Sequence, residues 1–132
     1  MDMIISINNN EKVYVLPVCP IPQITEPMNN QVMDTINGQI NVIGNKGLKS
    51  ISISSLFLNN DYPFIRPGAT SNAKEYVDFF EEIMIRKIPA RLIVIDENEV
   101  EMNLAVTLNN FNHNKDKAGD IQYTAEFLEF PL

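Results

Sequence analysis

Residues 72–108 read NAKEYVDFFEEIMIRKIPARLIVIDENEVEMNLAVTL, and this stretch decides the fold class. In its first half, Tyr76, Val77, Phe80, Ile83 and Met84 fall on one stripe of a 3.6-residue period. The spacing predicts a helix over 73–87 that packs those five side chains on the domain's own sheet. Asn72 stands where an N-cap belongs, and Glu75 where a capping-box acid would answer it. Arg86 and Lys87 suit the negative end of the helix dipole, and Pro89 stops the helix. The second half changes period. Residues 90–95 read as a strand, residues 96–99 as a turn, and Val100, Met102, Leu104, Val106 and Leu108 alternate along a second strand.

The flanking segments add more strands. Met3, Ile4 and Ile5, then Val13, Tyr14, Val15 and Leu16, are apolar runs separated by Asn8-Asn9-Asn10, a turn signal. Four prolines between positions 17 and 27 predict an extended, irregular connector, with Cys19 and Ile21 inside it. Residues 39–43 and 49–56 alternate polar and apolar, the mark of half-buried strands. Gly44-Asn45-Lys46-Gly47 is the turn between them, and Asn37-Gly38 a second turn after a short strand at 32–36. Ile121, Tyr123, Ala125 and Phe127 alternate along a closing strand. Residues 57–71 and 111–120 are expected as long loops. The links are of hairpin length, so the expected class is mainly β (α+β): an antiparallel β-sandwich or open barrel of about six to eight strands with one packed helix. No repeat or linker-like stretch divides the chain, so residues 1–132 are read as a single domain.

Composition excludes several function classes. Seventeen acids against ten bases give a net charge of −7. Phosphate neutralisation needs clustered Lys and Arg, so sequence-specific nucleic-acid binding is not expected, nor is docking on an anionic membrane. No apolar run approaches the ~18 residues of a membrane helix. The N-terminus has an acid at Asp2 and no basic region, unlike a secretory signal. With one cysteine, Cys19, the chain cannot close an internal disulfide.

Catalytic chemistry also lacks its parts. His113 is the only histidine and sits in a polar stretch expected as a loop, so no zinc set or Cys–His pair is expected. Gly44 to Ser50, GNKGLKS, resembles a phosphate loop, but two residues separate its glycines where that loop needs four. Asp96, Glu97, Glu99 and Glu101 form an acidic cluster, in which Glu99 and Glu101 read as one solvated strand face flanking a hairpin. The chain is expected to be no enzyme and to hold no cofactor or metal.

A collinear set of features remains: INGQINVIGNKGLKSISISSLF, YPFIRP, EYVDFFEEI, KIPARLIVI and a terminal KAGDIQYTAEFLEF. It includes Gly38, Ile40, Ile43 and Gly44 in a G-x-I-x-x-I-G strand pair, serines through 50–55, and Gly119, Asp120 and Tyr123 in GD-x-x-Y. In this order the chain resembles the N-terminal, tube-like domain of contractile-tail baseplate proteins of Gram-positive phages, defective prophages and tail-like bacteriocins. The resemblance implies a tail-tube-like fold and a structural role as baseplate hub or tube adaptor, joining the tail tube to the spike hub and baseplate wedge. It also implies a homo-hexameric ring, a place in the virion tail or bacteriocin particle, and assembly in the host cytoplasm. Longer members carry a LysM module after this domain. The sequence given stops before one, so a peptidoglycan-binding role is not expected of it.

The 57–71 loop holds Phe57, Leu58, Tyr62, Phe64 and Ile65, more apolar surface than a lone monomer readily covers. These five are the candidate subunit-contact residues. The alternative reading is a soluble ligand- or carbohydrate-binding β-sandwich module with residues 57–67 as its site.

Overall fold

The computed structural model describes residues 2–60, 62–97 and 99–131. Asp61 of the expected loop and Asn98 of the expected turn lie outside the described residues, as do Met1 and Leu132. The chain is mostly antiparallel β with one helix. Among the described residues nine strands run β1 (Asp2–Ile7), β2 (Lys12–Val15), β3 (Gln23–Thr25), β4 (Gln31–Thr35), β5 (Gly38–Val42), β6 (Ser50–Phe57), β7 (Ala90–Asp96), β8 (Glu99–Lys115) and β9 (Ile121–Glu129), with α1 (Ala73–Arg86) between β6 and β7. Seven form one open sheet in the order β2-β1-β7-β8-β9-β6-β3, and β4 and β5 pair only with each other.

Local chemistry explains the turns. Asn8, Asn9 and Asn10 all take left-handed backbone, φ 50–66°, which asparagine tolerates better than most residues. They let β1 and β2 pair through Ile4–Val15 to Ile7–Lys12. Gly38 at φ 115° turns β4 into β5.

The core lies between α1 and one face of the sheet. Met3, Ile5 and Ile7, Leu92 and Val94, Ile51 and Ile53, and Ala125 and Phe127 point from the strands to meet Tyr76, Val77, Phe80 and Ile83 of the helix. At its centre three rings stack: Phe57 lies 3.9 Å from Tyr123 and 5.0 Å from Tyr76, nearly parallel to both. Phe80 meets Phe57 edge-on at 5.5 Å. Tyr76 is further pinned by its hydroxyl, which donates to the Val15 carbonyl (2.6 Å) and accepts from the Thr70 N–H (3.0 Å). The Tyr123 hydroxyl is buried and has no hydrogen-bond partner among the described residues, and burial pushes that phenol far above its ordinary pKa. A buried hydroxyl left unpaired costs stability. Tyr123→Phe is therefore expected to raise stability by ~1 kcal/mol, read from urea midpoints. A loss instead would mean that the hydroxyl has a partner in solution.

Five expectations need correction. Met84 is 43% exposed, while Phe79 and Ala73 join the buried face. Met84 shares the apolar arc of the helix, but it lies at the C-terminal end, where it borders an open groove. Asn72 is the N-cap residue but its side chain makes no cap bond. The Asn59 side-chain carbonyl, from the preceding loop, accepts the Ala73 N–H instead (3.0 Å), and Glu75 accepts from the Tyr14 hydroxyl. Residues 111–115 are strand, because Phe111 to Lys115 pair with Ala125 to Ile121 of β9. Their polar composition suggested a loop, yet the alternation of asparagine with Phe111 and His113 fits a strand with one wet face. His113 thus sits on β8, 5.2 Å from the Phe111 ring. The proline connector holds a short strand, β3, which pairs with β6 through Gln23–Ser52 to Thr25–Ser50. Finally, residues 39–43 are not half-buried: every residue of β4 and β5 is exposed.

Candidate assembly surface

The segment between β6 and α1 carries the five candidate contact residues, and the structure divides them. Phe57 and Leu58 are fully buried in the chain's own core, because Phe57 is the last residue of β6 and faces the helix. They cannot touch a neighbour. Tyr62 and Ile65 are partly exposed, and Phe64 is 55% exposed. The Tyr62 and Phe64 rings stack on each other at 4.9 Å, so the loop presents one aromatic knob rather than a groove.

Asp120 holds that knob in place. This buried carboxylate accepts the Asn59 N–H at 2.8 Å, the Tyr62 hydroxyl at 2.8 Å and the Asn60 amide at 3.3 Å. The side-chain amides of Asn59 and Asn60 donate in turn to the carbonyls of Gly119 (2.6 Å) and Ala118 (3.1 Å). Across the β8–β9 turn, Asp116 accepts from the N–H groups of Ala118 and Asp120, and Gly119 takes φ 94°. The Asn59 N–H bond, with the Tyr62 and Asn60 bonds behind it, outweighs burial and holds the Asp120 carboxyl below the usual carboxylate range. The GD-x-x-Y pattern is therefore structural: its Gly makes the turn, its Asp straps the loop and its Tyr enters the ring stack. Sequence reasoning noticed Asp120 without seeing its partners, which lie about sixty positions away.

Opposite α1, the part of the sheet face formed by β6, β9 and the C-terminal half of β8 carries mainly polar groups. Ser52 and Ser54 of β6, Gln122, Thr124 and Glu126 of β9, and Asn112 and Asn114 of β8 share it by register. Ser54 and Thr124 hydrogen-bond across the strands at 3.0 Å. An open depression of about 570 Å³ lies over this row.

The β4–β5 ribbon is the second projecting feature. It joins the body at its base, where the Asn29 N–H donates to Asn45 O and the Gly47 N–H to Pro27 O, both at 2.8 Å. There the GNKG segment is a returning limb bridged to Met28. Gly44 permits this close approach, since a Cβ on it would fall 1.8 Å from the Asn29 carbonyl oxygen. Gly44→Ala is expected to loosen the base, so limited proteolysis should cut the ribbon faster while the urea midpoint of the body stays put. Equal cleavage of both proteins would refute the anchor.

Among the described residues, no group of three or more His, Cys, Asp or Glu side chains could hold a metal. Glu99 and Glu101 are exposed on β8. No described helix is long and apolar enough to cross a membrane.

The chain is similar to a chain in the virion of the native gene transfer agent (GTA) particle, with a TM-score of 0.58 at 11% identity over 99% of this chain and 92% of that one. It is similar in the same way to a chain in the tail of the empty GTA particle, refined helically with C6 symmetry: TM-score 0.57, 11% identity, 98% of this chain and 92% of that one. At this identity the likeness is one of fold. No family model and no curated protein matches the sequence.

Proposed function

We propose that this chain is a structural component of a phage-like tail, a baseplate hub or tube-adaptor subunit that joins the tail tube to the spike hub and baseplate. On this reading residues 1–132 act as one domain, six copies ring the particle axis, and function is assembly without turnover or cofactor. Its place is the virion tail or a tail-like bacteriocin particle, reached by assembly in the host cytoplasm. The observation that carries the reading is the fold shared over nearly the whole chain with subunits of a tail of C6 symmetry.

Three features of the molecule support it. The sheet is open, with β2 and β3 as unpaired edges that a neighbour on each side would cover. The knob of Tyr62 and Phe64, with Ile65 beside it, and the exposed ribbon project from the body, as subunit contacts would. The hydroxyl- and amide-lined face over β6, β9 and the C-terminal half of β8 carries Glu126 and, by register among the described residues, no Lys or Arg, and the chain is acidic overall, which suits a wall past which a polyanion moves without sticking. The ligand-binding alternative gains less support, because the loop rings close on each other.

Electron microscopy of the intact particle tests this. The expected map shows a ring of this chain on the tail axis, each obligate interface burying on the order of 2,000 Å² or more. Absence from the axis, or a copy number that is not a multiple of three, would overturn it.

A further inference from the structure

The turn at the tip of the β4–β5 ribbon pairs an asparagine with a glycine. The chain has seventeen asparagines, and Asn37 alone is followed by glycine. The backbone nitrogen after an asparagine can close a five-membered ring on the side-chain Cγ. A Cβ on that next residue crowds the approach, and glycine has none. At Gly38 the space is open, since an added Cβ would meet no atom within 4 Å.

Asn37 is exposed, and its side-chain amide makes no hydrogen bond among the described residues. The side-chain bonds at the tip belong to its neighbours: the Thr35 hydroxyl donates to the Gly38 carbonyl at 2.6 Å, and the Gln39 amide to Asp34 at 3.0 Å. Elsewhere asparagines are tied down, as Asn30 is by the Gly44 N–H and Asn103 by Arg91. Ring closure requires the backbone at Asn37 to rotate, which the Thr35–Gly38 pair resists. That pair is the last of five, in a ribbon whose strands pair only with each other. A lone two-stranded ribbon is marginal in water, and its end pairs open first.

We propose that Asn37 is a self-modification site, at which the Gly38 nitrogen displaces ammonia and the tip converts to aspartate and isoaspartate. Hydroxide takes the Gly38 N–H proton. The nitrogen's electron pair then bonds to Asn37 Cγ, the Cγ–Nδ2 bond breaks, and the amide nitrogen leaves as ammonia after taking a proton from water. One water opens the cyclic imide. Attack at Cγ breaks its bond to the Gly38 nitrogen and leaves aspartate. Attack at the Asn37 main-chain carbonyl carbon breaks the other bond to that nitrogen and leaves the chain running through Cγ, as isoaspartate. The net reaction consumes one water and releases one ammonia, with nothing oxidised or reduced. Either product adds a carboxylate near Asp34, the only charged residue of residues 31–42. Isoaspartate also lengthens the main chain of a two-residue turn, so Thr35 and Gly38 lose their register. The reaction needs no enzyme and no second copy, so it does not depend on the assembly reading above.

The test incubates the folded full chain between about pH 7 and pH 9 and maps its peptides by mass spectrometry, with fragmentation that separates aspartate from isoaspartate. The peptide holding Asn37 is expected to convert before every other asparagine peptide and to yield both products. Its rate should rise about tenfold per pH unit, as the fraction of deprotonated amide does. Asn37→Gln keeps the glycine but needs a larger ring, and should abolish conversion at the tip. Gly38→Ala should slow it by about tenfold. If another asparagine converts first, or if Asn37 stays intact in the folded chain while it converts in urea, the turn protects Asn37 and the site is refuted.

Discussion

Phe57→Ala is expected to lower the unfolding free energy by about 3–5 kcal/mol, the cost of truncating a fully buried aromatic ring. Phe57 is completely covered and sits between Tyr123 and Tyr76 in the ring stack. Its removal opens a cavity whose walls cannot collapse. Tyr76 is held by hydrogen bonds to Val15 and Thr70, and Tyr123 by the strand pairing of β9. Phe80→Ala should cost a similar amount. The two rings touch at 5.5 Å, so the double variant should lose less than the sum. Urea unfolding measures all three. A wild-type midpoint for Phe57→Ala would mean that the helix does not pack on the sheet through this stack.

Asp120→Ala is expected to cost about 1.5–3 kcal/mol, because the Asn59 N–H and the Tyr62 hydroxyl lose a charged acceptor. Its larger consequence is local. Freed from the β8–β9 turn, the segment carrying Tyr62 and Phe64 should exchange amide hydrogens faster, with the core unchanged. The same carboxylate makes stability depend on pH. Its folded pKa is depressed, chiefly by the Asn59 N–H, so the folded state binds a proton less readily than the unfolded chain. The stabilisation is complete above the ordinary carboxylate range, about pH 4, and is lost as pH falls through the depressed folded value. Glu11, Glu26 and Glu82, lowered by Asn8, Lys46 and Lys12 respectively and all on the surface, act with the same sign. Urea midpoints of wild type and Asp120→Asn should converge as the pH falls below about 4. Parallel acid limbs would show that the strap contributes nothing to the pH dependence.

Much of the architecture was legible along the chain because it depends on neighbours in sequence. The stripe of Tyr76, Val77, Phe80 and Ile83, the αL-tolerant run Asn8-Asn9-Asn10 and the alternation through Val100 to Leu108 are local records of period and turn chemistry. The sequence by itself therefore determined the helix, most of the strands and their antiparallel links. The inventory of one histidine and one cysteine argued against the common catalytic sets.

What covers each face is a different kind of fact, decided only by distant contacts. Gln39 to Ile43 alternates like a half-buried strand, yet β5 meets only β4, so its apolar side chains stay in water. Phe57 and Phe64 look equivalent in the sequence, but one closes the core and the other tops an exposed knob. Residues 111–115 became strand because β9 offered a partner for each of them. Asp120 became a strap because the fold brings Asn59 and Tyr62 to its oxygens. Periodicity reports that a side chain has an apolar side. Only the packed chain determines whether its own atoms cover that side, because burial is a property of segments far apart in sequence.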